Sequence, residues 1–159
     1  MSTCVDSTCV IRFASRKDVP VILSLIRGLA EYEKLSQEVV ATEAALEQTL
    51  FGPKSYAEIL LAEEEGNVCG FCLFFHNYST FLAKPGLYIE DIFVHPGYRG
   101  KAIGKTLFSE VKRLALERQC GRIEWAVLDW NKPAIDFYAS MGAKPMNEWT
   151  TYRLTEEQF

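Results

Sequence analysis

Residues 87–119, LYIEDIFVHPGYRGKAIGKTLFSEVKRLALERQ, hold the signal that decides how this chain folds. The stretch opens on an apolar, β-branched run, 87–94, which has the composition of a buried strand. His95-Pro96-Gly97 ends that strand, because Pro lacks an amide proton and Gly accepts turn geometry. A basic loop follows, Arg99-Gly100-Lys101-Ala102-Ile103-Gly104-Lys105. From there Ile103, Leu107, Val111, Leu114 and Ala115 recur at helical spacing, so the loop runs directly into an amphipathic helix. Strand, tight loop and helix start together make an anion site. Unpaired N–H groups and the positive dipole end converge, and small residues let a phosphate reach the backbone. A pyrophosphate is the kind of group such a site suits.

Two phosphate-binding patterns compete for this loop. Gly104-Lys105-Thr106 supplies the second half of a nucleotide-binding P-loop, and Asp129, after the apolar run 125–128, offers a magnesium carboxylate. Arg99, however, stands where the first P-loop glycine belongs. The other pattern is Arg/Gln-x-x-Gly-x-Gly/Ala, which 99–104 matches with Ala102 in the place of the middle glycine. The order of elements in the rest of the chain has to decide.

At 159 residues the chain reads as a single domain, 1–159, with residues 1–8 as a flexible tail. Apolar residues make up 48% and aromatics 13%, which excludes a disordered chain. A net charge of −4, with no basic face outside the loop, argues against a nucleic-acid partner. No apolar run approaches the ~20 residues of a membrane span. The N-terminus MSTCVDSTCVIRF lacks the basic and apolar regions of a secretory signal, so a cytoplasmic protein is expected. Cys69-Gly70-Phe71-Cys72 has the spacing of a redox or zinc site. It lies in a strand-like run, where a three-residue step sends the side chains to opposite faces, and it reads as two buried thiols. His76 and His95 lack partners at metal spacing, and no metal is expected.

Taken in order, residues 10–13 form a short strand, and Ser15 with Asp18 caps a helix carrying Ile22, Leu25, Ile26 and Leu29. Thr42 caps a second helix that stops at Gly52-Pro53. Residues 56–62 and 68–75 are strands joined at Glu65-Gly66-Asn67, and a loop from 78 to 86 leads to the strand at 87–94. After the long helix come a strand at 122–128, a helix from Asn131 to a stop at Gly142, a last strand at 149–154 and a capped turn at Thr155. The order β-α-α-β-β-β-α-β-α-β is α/β (α+β), with an antiparallel front half. A P-loop fold places its phosphate loop after the first strand. Here the loop follows the fourth, which removes the nucleotide reading.

The helix from Asn131 carries a second motif. Asn131-Lys132-Pro133-Ala134-Ile135-Asp136-Phe137-Tyr138, with Met141-Gly142-Ala143 behind it, follows N-x-x-(A/S)-x-x-(F/L)-Y-x-x-x-G-F/A. With the loop at 99–104, in that order and separation, it resembles the GNAT N-acetyltransferase superfamily. Over almost its whole length the chain is similar to the diamine (spermidine/spermine) acetyltransferases and their thialysine-acetylating relatives. The matching pieces are Leu29-Ala30-Glu31-Tyr32-Glu33, Tyr88-Ile89-Glu90-Asp91-Ile92-Phe93-Val94 and Trp130-Asn131-Lys132-Pro133. The segment Met146-Asn147-Glu148-Trp149 is shorter than its polyamine-enzyme counterpart. The resemblance implies a GNAT fold, a mixed central sheet flanked by helices, working as a homodimer with acetyl-CoA and no metal. It implies transfer of acetyl to a primary amine of a small cationic substrate, a polyamine or diamine, by direct attack in a ternary complex. Thialysine, another amino acid or a protein lysine is the alternative acceptor, and a non-catalytic acyl-CoA sensor is the alternative class.

Each step of acetyl transfer has candidate residues. By the resemblance, acetyl-CoA is held by Ile92, Phe93 and Val94 on the strand, by Arg99, Gly100, Lys101, Ala102, Ile103, Gly104 and Lys105 in the loop, and by Asn131, Lys132, Pro133 and Ala134. A backbone N–H near Phe93 is placed to stabilise the thioester oxygen. Tyr138 stands where the family puts the acid that protonates the leaving thiol. An alkylamine, with a pKa of about 10.4, must lose a proton before attack, and Glu90 is the candidate to take it through a water. Glu90-Asp91 interrupts an apolar strand, where strict alternation would send one carboxylate to each face and leave at least one in a wet cavity. Tyr32, Glu33, Glu90, Glu124, Trp125 and Ala126 make up the expected acidic, aromatic-lined amine pocket.

Overall fold

The computed structural model describes residues 9–159, so the expected tail at 1–8 lies outside the described residues. The described residues divide into two compact units, which part between Ala126 and Val127.

The first unit is built on a sheet of five strands in sequential order, β1 (Cys9–Phe13), β2 (Glu58–Glu64), β3 (Asn67–Ser79), β4 (Lys84–Val94) and β5 (Ile123–Trp125). The first four are antiparallel, and β5 lies parallel to β4. Between β1 and β2 run α1 (Val19–Tyr32) and α2 (Glu43–Phe51), and α3 (Ile103–Glu117) links β4 to β5.

Local chemistry explains the element starts. Asp18 accepts from Ser15 N–H at 2.7 Å and from the Arg12 guanidinium at 2.8 and 2.9 Å, which fixes the turn into α1. Arg12 beside it holds the Asp18 carboxyl down at about 2. Thr42 Oγ1 accepts from Ala45 N–H at 3.2 Å and starts α2, as expected. Glu65 (φ 51) and Gly66 (φ 80) form the two-residue turn of the β2–β3 hairpin, where both central residues need positive φ.

The helices cover the sheet on both sides. Ile22, Leu25 and Leu50 pack on Ile59, Leu61, Phe71 and Phe93, one face of the sheet under α1 and α2. Ile103, Leu107, Phe108, Val111, Leu114 and Ala115 of α3 are buried on the other face. Each fully buried large side chain contributes ~1.5–3 kcal/mol of transfer free energy, so this double layer is what holds the unit together. Cys69 and Cys72 lie within it, fully buried, and burial pushes their thiols up to about 11 and about 12.

The central strand β4 carries one irregularity. Leu73 pairs with Asp91 but Phe74 pairs with Ile89, so Glu90 drops out of the ladder as a β-bulge. Paired residues share a face, and Leu73 and Phe74 face opposite ways. Ile89 and Asp91 therefore face opposite ways too, although two positions apart on a regular strand they would not. The expectation that Glu90 and Asp91 divide between the faces by simple alternation fails at this point. Asp91 goes with Phe93 to the α1 face, and Ile89 goes to the α3 face. β5 pairs only with residues 87–89 and stops where the bulge begins.

The sequence expectations need three corrections. The loop expected at 78–86 is mostly ladder: β3 continues to Ser79, pairing with Lys84, and Ser79 Oγ accepts from Leu82 N–H at 3.2 Å to close the turn. The strand expected at 122–128 is only Ile123–Trp125, because the bulge takes the rest of β4 away from it. The last strand, expected at 149–154, is not formed. A strand is stable only in a ladder, and the second unit holds no other strand, so Trp149 and Tyr152 are 78% and 92% exposed.

That second unit contains α4 (Lys132–Ser140), capped by Asn131 Oδ1 accepting from Ala134 N–H at 3.4 Å and ended by Gly142 at φ 86. A short 3₁₀ turn at Glu156–Gln158 starts at Thr155, as expected. No helix among the described residues is long and apolar enough to cross a membrane.

Candidate active site

The loop from β4 to α3 is shaped for an anion. His95 Nδ1 accepts from Gly97 N–H at 3.2 Å and closes a 3₁₀ turn at Pro96–Tyr98. Gly100 (φ 82) and Ala102 (φ 60) then turn the chain through left-handed geometry into α3. Ala102 pays for its Cβ here: a left-handed non-glycine residue costs roughly 1–2 kcal/mol. No side chain caps α3, which leaves its first-turn N–H groups and positive end for a ligand. A Cβ on Gly104 would meet only Val94 Cγ2 at 3.8 Å, so the protein itself does not require glycine there. The room it leaves suits the close approach of a pyrophosphate. Lys101 is engaged elsewhere, with Nζ 2.8 Å from Glu64. Arg99 pairs with no carboxylate among the described residues; its Nε donates to Val94 O at 3.2 Å.

Beyond the bulge, β4 has one open edge. His95 N–H donates to Cys69 O at 2.7 Å, on the β3 side. By alternation Phe93 also directs its backbone to β3, while Ile92 and Val94 present N–H and C=O to the open side. Residues 90–94 have no ladder partner there among the described residues. The N–H groups near Phe93 that point outward are thus those of Ile92 and Val94.

Carboxylates gather on the α1 face. Asp91 is largely removed from water and its pKa is raised to about 6, first by that burial and then by Glu90 and Glu33. Burial raises Glu33 as well, at the end of α1. Tyr88 is raised by burial and then by Glu90 and Glu124, and its pairing with Glu124 puts those two side chains on one face. Glu124 accepts from Asn77 Nδ2 at 3.4 Å and lies 3.0 Å from Arg122. Tyr32 is half-buried, with the Arg99 guanidinium carbon 4.6 Å from its ring centre and 5.6 Å from that of Phe93.

The structure thus brings Tyr32, Glu33, Glu90, Glu124, Phe93 and Arg99 to one side of the sheet. It sends Trp125 to the other, where its ring stands edge-on to Phe108 at 4.9 Å. Ala126 is exposed just past β5. In the second unit, Asn131 and Ala134 form the cap of α4, Lys132 Nζ lies 2.8 Å from Asp136, and Tyr138 is half-buried beside Phe137 at 5.8 Å. Sequence reasoning passed over Asp91 as a member of the acidic group. The adjacent pair of acids in an apolar strand was the available signal for a bulge.

A bulged strand with an open edge thus runs through a basic loop, with no side-chain cap among the described residues, into a helix. Residues 26–143 match the Acetyltransferase (GNAT) family, and the chain belongs to that family. It is 42% identical to thialysine N-epsilon-acetyltransferase of Bos taurus, over 93% of each chain. It is 36% identical to L-ornithine N5-acetyltransferase NATA1 of Arabidopsis thaliana, over 91% of this chain and 83% of that one. It is 30% identical to spermidine/spermine N(1)-acetyltransferase-like protein 1 of Homo sapiens, covering 93% of this chain and 23% of that protein. In fold it is similar to an aminoglycoside acetyltransferase from an uncultured soil metagenomic sample, with a TM-score of 0.79 at 20% identity, over 95% of this chain and 99% of that one. The protein is an acetyltransferase with a GNAT fold, and its family uses acetyl-CoA as the acetyl donor.

Proposed function

We propose that this acetyltransferase carries acetyl from acetyl-CoA to the primary side-chain amine of a small cationic amino acid, thialysine or a homologue of lysine. The observation that carries the reading is the joining, on one strand, of an open backbone edge, an anion loop and a bulge that sets out Glu90 beside Asp91. The names of the relatives favour the amino-acid acceptor over the polyamine expected first, and a polyamine is the second reading.

Acetyl-CoA, when bound, supplies the activated thioester. The first-turn N–H groups of α3 and Arg99 hold its pyrophosphate, and the edge at Ile92 and Val94 takes its amide-bearing arm as a sheet takes an added strand. Ile92 or Val94 N–H donates to the thioester oxygen as charge builds there. Glu90, exposed at the bulge, receives the amine proton through a water, and Tyr138 returns a proton to the departing sulfur. Glu33, Asp91 and Glu124, with the ring face of Tyr32, attract the cationic substrate. The reading includes a cytoplasmic homodimer, which equilibrium sedimentation and localisation of the tagged chain test.

The test is thiol release from acetyl-CoA against thialysine, ornithine, lysine, spermidine, putrescine and a lysine peptide. Fast turnover on an amino acid, with kcat lowered ~10²-fold or more in both Tyr138→Phe and Glu90→Gln and acetyl-CoA binding kept, is the expected result. Preference for spermidine would select the second reading. Binding of acetyl-CoA with no turnover on any amine would make the protein a sensor. Turnover indifferent to Tyr138 would leave the enzyme and remove its acid.

A further inference from the structure

Arg99 touches both halves of the proposed reaction, and each of its contacts is a place that a substrate has to use. Its guanidinium carbon lies 4.6 Å from the ring centre of Tyr32, over the aromatic face on which the ammonium group of an amine substrate would rest. It also lies 5.6 Å from the ring centre of Phe93. Its Nε donates to Val94 O at 3.2 Å, one of the carbonyls that the open edge of β4 offers to the arm of acetyl-CoA. Its sequence position is the first residue of the anion loop, and it has no carboxylate partner among the described residues.

A guanidinium stacked on Tyr32 and bonded to Val94 excludes a second cation from the same ring face by volume, and by like charge from the space around it. A pyrophosphate is the stronger claimant: bidentate charge-assisted hydrogen bonds to phosphate outweigh one neutral carbonyl and the face of one half-buried ring. We infer that Arg99 is a positioning residue that makes the amine site wait for acetyl-CoA. The pyrophosphate draws its side chain off Tyr32 and Val94 and neutralises its charge. One movement opens the strand edge to the acyl carrier and the ring face to the amine. The two ligands then bind with positive coupling and the amine enters second, which prevents the amine from filling the pocket before its acyl donor. The inference rests on the reading of loop and pocket given under Proposed function, and adds to it an order of events carried by one side chain.

The experiment is a calorimetric cycle on the full chain, with CoA as the non-transferring carrier and L-thialysine and spermidine as amines. Wild type should bind its preferred amine ~10-fold more tightly when CoA is saturating, and CoA should gain the same factor from the amine, since coupling is reciprocal. Arg99→Ala should bind the amine more tightly than wild type in the absence of CoA, close to the CoA-saturated wild-type value. A lesion that merely loosened the loop would weaken the amine instead. Arg99→Lys, which keeps a charge able to serve both places, should keep the coupling. Amine binding to wild type that is indifferent to CoA, or coupling that survives in Arg99→Ala, overturns the inference. Failure of either amine to bind any form with CoA present overturns the proposed function itself, and this inference falls with it.

Discussion

A methyl group added at Gly104 has nothing to collide with among the described residues, the nearest atom outside its own helix turn being Val94 Cγ2 at 3.8 Å. Gly104→Ala should therefore fold, and by helix propensity gain up to ~1 kcal/mol in a thermal melt. The loop pattern accepts Gly or Ala at this position, so the KM for acetyl-CoA should stay within ~3-fold of wild type, whereas the larger Gly104→Val, which fills the space where a pyrophosphate meets the backbone, should raise it ~10-fold or more. A loss of affinity that appears only with the larger side chain identifies a position kept small for its ligand. Asp91 gives a prediction in pH. Its folded pKa, about 6, lies above the ordinary carboxylate value because ionisation there means a charge removed from water beside Glu90 and Glu33. Its contribution to stability is thus full below pH ~4 and is lost as pH rises through about 6. Asp91→Asn should match wild type at pH 4 and exceed it by roughly 2 kcal/mol at pH 7.5 in urea unfolding. The adjacent acids at 90 and 91 hint at an irregular strand, but neither residue's part is fixed by its neighbours in sequence. The role of Gly104 follows from a space, and that of Asp91 from a pairing with a strand far away.

Elements were legible where period and caps agreed. The stripes of α1 and α3, the Thr42 cap and the stop at Gly142 were written in local residues, and so was the turn at Glu65-Gly66. The features that were missed depend on partners. The ends of β5 and the absence of a strand at 149–154 follow from which backbone lies alongside, a non-local matter that β-propensity does not carry. The bulge inverts the parity of β4 with no glycine or proline to announce it. Helix-to-sheet fit is equally hidden. A Cβ on Gly28 would stand 3.1 and 3.3 Å from the Phe93 ring, so α1 lies close to β4 only because that residue is bare. Gly28→Ala should lower stability by about 1 kcal/mol despite its better helix propensity, and should disturb the ring that Arg99 stacks on. A urea melt beside that of Gly104→Ala checks the pair, one chemical change with opposite signs in two helices.

At the level of the whole molecule, all the buried residues among those described lie in the first unit; residues 127–159 contribute α4 and a turn with none that is fully buried. Local stability follows buried contacts, so amide exchange should divide along the chain. Amides of β2, β3, the paired part of β4 and α3 should be the last to exchange. Those of 127–159 should exchange first. Uniform protection across both units would refute this. The bulge at Glu90 also reaches the scale of the whole fold. Because Leu73 already faces with Asp91 and Phe74 with Ile89, a chain lacking residue 90 altogether would run straight through, with every other side chain of β4 on the face it now occupies. Deleting one residue from the middle of the central strand should therefore yield a shorter protein that melts no lower than its parent and captures no acetyl-CoA. The fold can dispense with that residue. The enzyme keeps it as the irregular step that frees the far edge of its central strand.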